Sequence, residues 1–136
     1  MKPGQSLLAA SRAGWIVARV LGAAGAALAP AASHACGVCV EDSVAATYDH
    51  QVLTRAKATG NVVMFCKVSG PFDAAQLVKS ARRTQGVSAP SVRTSNQPPA
   101  LSFAFDPARQ SPQAAVDAIG RSLPASTRVS LVRVMK

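Results

Sequence analysis

The stretch 61–69 most constrains the fold. Val62-Val63-Met64-Phe65-Cys66-Lys67-Val68 is β-branched and apolar, too short for a further helix, and closed by Gly70-Pro71. It predicts a central strand. Alternation places Met64, Cys66 and Val68 on one face and Val63, Phe65 and Lys67 on the other.

Helical and extended patterns flank that strand. Over 41–57, Val44, Ala45, Tyr48, Val52 and Ala56 recur on one face at helical spacing. Glu41 and Asp42 suit the first turn of this helix, where they oppose the dipole, and Thr59-Gly60-Asn61 stops it. After the strand, Asp73-Ala74-Ala75-Gln76 has the form of an N-cap with a Gln three residues on. Ala74, Leu77, Val78 and Ala81 then carry a helix to about residue 85, with Gly86 at its end. Residues 89–95 predict a weakly apolar edge strand, and Asn96-Gln97-Pro98-Pro99 a turn.

Leu101, Phe103 and Phe105 alternate with Ser102 and Ala104 as a half-buried strand ended by Asp106-Pro107. Ser111-Pro112 opens another helix, with Val116, Ile119 and Leu123 inward and Pro124 as its stop. Residues 127–134 alternate as a last strand, Val129 and Leu131 on one face, Val132 and Val134 on the other.

From residue 61 the order is strand, helix, strand, strand, helix, strand. That order predicts an α+β, ferredoxin-like βαββαβ sandwich: a four-stranded antiparallel sheet with both helices on one face. The amphipathic helix in front is an addition to this plan. Its apolar stripe needs burial, and Val63 and Phe65 offer matching surface, so it is expected to cover the other face or an edge.

The amino end reads as a secretory signal peptide over 1–35. Lys2 and Arg12 precede an apolar stretch, no charge falls between Val20 and Ala32, and Ala32-Ser33-His34-Ala35 offers small residues for cleavage. A spanning helix needs about 20 uninterrupted apolar residues, and Arg19 cuts this run short. A periplasmic or secreted protein is expected, with no membrane contact after leader removal. Three segments follow: the leader over 1–35, a cysteine-bearing segment with the first helix over 36–60, and the sandwich over 61–136.

From Cys36 onward twelve Lys and Arg face six Asp and Glu. Arg82-Arg83 is the only basic doublet, and no aromatic residues interleave with the cations as a single-strand-binding platform would need. A solubilising surface, without nucleic acid as partner, is the expectation.

Chemistry centres on His34-Ala35-Cys36-Gly37-Val38-Cys39, where two of the three cysteines stand at a two-residue gap. Such a pair can clamp a soft metal, cycle as a redox dithiol or close as a structural disulfide. Cleavage after Ala35 would give Cys36 a free amine beside its thiolate; cleavage after Ser33 would retain His34 as a ligand. Acidic residues without close pairing, two histidines and no phosphate-binding Gly-rich loop leave no hydrolytic or phosphoryl-transfer site, and no catalytic residue is assigned.

Over 62–123 the chain resembles the heavy-metal-associated domain family, the ferredoxin-like modules of copper and mercury metallochaperones and metal-pumping ATPases. Phe65-Cys66-Lys67-Val68-Ser69-Gly70 matches the family's first strand and glycine, and Gln85-Gly86-Val87 the turn after its first helix. Leu101-Ser102-Phe103-Ala104-Phe105-Asp106-Pro107, with Ser111-Pro112 and 115–120, matches its third strand and second helix. The family's loop carries a Met and two cysteines three apart; Pro71, Asp73 and Gln76 occupy those positions here. The usual loop site is therefore missing, and a Cys-x-x-Cys stands in an amino-terminal extension instead.

The resulting expectation is a periplasmic binder or carrier of a soft metal. Paired thiolates select Cu(I) first, with Zn(II) or Hg(II) after it. Cys36 and Cys39 would be the ligands, with His34 if retained. Cys66 or Met64 would be a third soft donor, and Cys66 drops out if it faces the two-helix core. A metal-transporting or metal-receiving protein would be the partner. A thiol–disulfide redox protein, or a metal-free binding module with a Cys36–Cys39 disulfide, are the alternatives.

Overall fold

A computed structural model describes residues 40–136; the expected leader, His34, Cys36 and Cys39 lie outside the described residues. The chain is α+β. Its elements run α1 (Val40–Thr47), α2 (His50–Ala58), β1 (Val62–Ser69), α3 (Ala74–Arg83), β2 (Arg93–Asn96), β3 (Pro99–Phe105), α4 (Pro112–Arg121) and β4 (Arg128–Met135), with a short 3-10 turn at Ala89–Ser91. The four strands form one sheet in the order β2-β3-β1-β4, each neighbouring pair antiparallel, an arrangement compatible with a ferredoxin-like fold.

β1 is the apolar centre, and its two faces feed two separate cores. Val62, Met64, Cys66 and Val68 join Leu77 and Ala81 of α3, Ala115, Val116 and Ile119 of α4, and Leu101, Phe103 and Phe105 of β3. Val63 and Phe65 face the other way, against Val44, Val52, Ala56 and Ala104. Helices thus cover both faces, which is why β1 carries apolar side chains on each.

The single helix expected over 41–57 is two helices. Asp49 is extended (φ −134°, ψ 111°), and its carboxylate accepts from the amides of Gln51 and Val52 at 2.9 and 3.2 Å. An Asp bonding the backbone two and three residues on ends one helix and caps the next. The break changes which side chains are inward: Ser43, Val44 and Thr47 are buried, while Ala45 and Tyr48, expected in the stripe, are exposed. At the far end of α2, Gly60 (φ 72°) donates to Lys57 O and Asn61 to Ala56 O, the paired bonds of a left-handed helix stop.

Two further differences arise in the strands. Residues 89–91, expected as part of a strand, form the 3-10 turn, because Pro90 has no amide and Ser91 is otherwise engaged. Its Oγ donates to Ser88 O and accepts from Ala104 N, while Ser88 N donates to Ala104 O. These bonds satisfy β3 where a longer β2 would have run. In β4 a bulge shifts the register, so that Phe65 faces Arg133 while Cys66 faces Leu131. Strict alternation fails there. Val132 and Met135 pack on the α1/α2 side, and Val134, expected beside Val132, pairs instead with Met64 and is exposed.

Candidate functional site

Asp73 caps α3 by accepting from Gln76 N at 2.9 Å, so these two residues join the end of the β1–α3 loop to the first turn of the helix. The same loop is tied to the start of β4. Gly70 (φ 82°) lies so close to Ser126 that a Cβ would stand 2.0 Å from its carbonyl oxygen, and Thr127 Oγ1 donates to Pro71 O at 2.6 Å. Pro71, Asp73 and Gln76 supply no thiol, and this loop is a structural corner.

Cys66 lies on β1 with no exposed surface, in the core beneath α3 and α4. Burial pushes its thiol up to about 12. Metals take the thiolate, so at neutral pH this sulfur behaves as a small apolar group. Met64 is equally buried two residues before it. Among the described residues no three His, Cys, Asp or Glu side chains gather as a metal site.

The surface holds grooves that the sequence did not disclose. The first, about 500 Å³, runs between α3 and the edge strand β2, lined by Ala74, Ala75, Val78, Lys79, Arg82, Arg83 and Thr94. Another, about 390 Å³, lies between α2 and the Ser88–Ser91 segment, with Val52, Ala56 and Ala104 at its base and Arg55 beside it. The basic doublet was visible in the sequence; its neighbour across the groove was not, because Thr94 is set there by pairing with Leu101 of β3.

No protein-family model matches the chain, no curated protein matches it, and no solved structure matches it.

Proposed function

We propose that this protein is an exported binder or carrier of a soft metal ion, Cu(I) first, which it holds through the Cys36 and Cys39 thiolates. The observation that carries this reading is the division of the three cysteines. Cys66 is sealed in the core with its thiol held protonated, so thiolate chemistry falls to the pair at 36 and 39. Two thiolates at a two-residue gap suit a soft, low-coordinate ion, and His34 or the amine of Cys36 would add a third donor. The strand order and the placing of α3 and α4 on one face support a ferredoxin-like, heavy-metal-associated type of domain as its body. In this reading the ion is cargo for a metal-receiving protein, and the binding segment precedes the domain in place of the loop after β1.

A copper titration tests it. The reduced protein is given equimolar Cu(I) under a competing chelator, beside Cys36→Ser, Cys39→Ser and Cys66→Ala. The parent and Cys66→Ala retain the ion and the other two lose it. Equal retention by all four overturns the proposal, and a Cys36–Cys39 disulfide with an oxidising potential turns it towards redox exchange. Intact mass of the exported protein tells whether His34 belongs to the site.

A further inference from the structure

We propose that the groove between α3 and β2 binds an acidic, extended peptide segment of a partner protein, which adds to the open edge of β2 as a further strand. Three observations converge on this surface. Among the described residues β2 is an edge strand paired with β3 alone, and alternate residues of an antiparallel strand direct their backbone N–H and C=O away from the partner. Two of the four residues in Arg93–Asn96 therefore direct their backbone groups to the edge, where they have no backbone partner among the described residues. Such an edge is a template for an incoming strand.

The groove beside that edge is suited to side chains of one alternating face. Its floor is Ala74, Ala75 and Val78, and the stems of Lys79, Arg82 and Arg83 extend it. A peptide strand laid along β2 would place every second side chain over this floor.

Charge selects the occupant. All six Asp and Glu side chains lie within the described residues, and the ion pairs they form there go to Arg93, Arg109 and Arg133. None reaches Lys79, Arg82 or Arg83. Arg82 and Arg83 complement the dipole of the last turn of α3, but Lys79 stands before that turn, and the helix has no acidic residue to pair with any of them. The groove is therefore cationic beyond what the helix itself uses. Nucleic acid fits less well, since no aromatic side chain lines the groove to stack on a base.

The probe is a fluorescein-labelled peptide of about eight residues alternating Glu and Val, long enough to span a short strand. Binding to the full chain is followed by anisotropy. Three comparisons accompany it: the same peptide with alternate amides N-methylated, a Lys/Val counterpart, and a uridine oligonucleotide. The chain is also tested as the triple variants Lys79→Gln, Arg82→Gln, Arg83→Gln and Lys79→Glu, Arg82→Glu, Arg83→Glu. All three side chains are exposed, and the neutral variant retains the fold should the reversed one not.

Saturable binding is expected that weakens at least ~10-fold in the neutral variant, further in the reversed one, and at least ~10-fold for the N-methylated peptide. Amide NMR shifts should fall on Arg93–Asn96 and α3. The proposal is overturned if no saturation occurs up to about 1 mM, if the N-methylated peptide binds as well, if the cation variants are indifferent, or if the oligonucleotide binds more tightly. Copper retention by the triple variants should be unchanged, which separates this surface from the proposed thiolate site.

Discussion

Arg93, on edge strand β2, closes on Asp49, the cap of α2, through Nε at 3.0 Å and a second guanidinium nitrogen at 2.9 Å, both to Oδ2. The other carboxylate oxygen holds the amides of Gln51 and Val52. One side chain thus starts a helix and pins it to the sheet. The Val52 amide does most to hold the Asp49 carboxyl below its ordinary 3.8, against an opposing push from desolvation; Arg93 and the Gln51 amide add to the lowering.

A carboxyl held low in the folded state stabilises it above its ordinary range, and the contribution fades as pH falls through the folded value. Asp49→Asn should therefore melt below the parent at neutral pH, with the gap closing as pH drops below 3.8. Melting temperatures of both proteins across that range check it. A gap that widens on acidification contradicts the assignment.

Two glycines with similar backbone angles should respond differently to Ala. At Gly60 (φ 72°) an added Cβ meets nothing within 4 Å, so only the left-handed backbone costs, about 1 kcal/mol. At Gly70 the Cβ would collide with the Ser126 carbonyl, and the corner between β1 and β4 must open, at about 3 kcal/mol or more. Denaturant unfolding of Gly60→Ala and Gly70→Ala gives the comparison.

Cys66 should be silent towards thiol reagents in the native protein. In a Cys36→Ser, Cys39→Ser background, maleimide labelling of Cys66 is expected only after denaturant unfolds the chain. Cys66→Ala should cost about 1–2 kcal/mol for the small void left in the core. Cys66→Ser should cost more, about 2–3 kcal/mol, because a hydroxyl there replaces an apolar group without water. Rapid labelling of folded protein would mean that β1 opens readily.

Where α1 meets β3, two buried serines, Ser43 of the helix and Ser102 of the strand, should respond differently to Ala. Ser102 Oγ donates to Thr47 O at 2.9 Å in a fully buried contact, and Ser102→Ala, which strands that carbonyl, should destabilise by about 1–2 kcal/mol. Ser43 Oγ is buried and has no hydrogen-bond partner among the described residues. Ser43→Ala should be neutral or stabilising, by up to about 1 kcal/mol. Chemical denaturation of the two variants reads the difference directly.

The division of β1 into two faces was legible because alternation in a strand is dictated locally, and Met64, Cys66 and Val68 against Val63 and Phe65 needed no partner to be read. The caps at Asp73 and Ser111 were legible for the same reason: each bonds a backbone amide three residues on. The break at Asp49 rests on the same kind of local bond, to amides two and three residues on, but apolar residues at helical spacing on both sides of it masked the break. Arg93, 44 residues away in sequence, adds the tie to the sheet. What else escaped depends on distant groups. Ser91 replaces a strand with a turn by reaching Ala104, and the β4 bulge appears only against β1. Of the candidate site, the cysteine spacing was plain, whereas the burial of Cys66 turned on α3 and α4 closing over it. The basic groove turned on which strand lies at the edge.

The place of β1 in the sheet carries a consequence for biosynthesis. Among the described residues Val62–Ser69 is the first strand to be made, and it ends between β3 and β4, both of which are translated after it. Until Pro99–Phe105 emerges, neither side of this apolar segment has its mate from the sheet, and one side stays bare until Arg128–Met135 follows. The nascent chain thus carries an apolar strand with at least one side unpaired from the synthesis of Ser69 until that of Arg128–Met135. A ribosome stalled before residue 128 would hold a sheet with its central strand still open on one side.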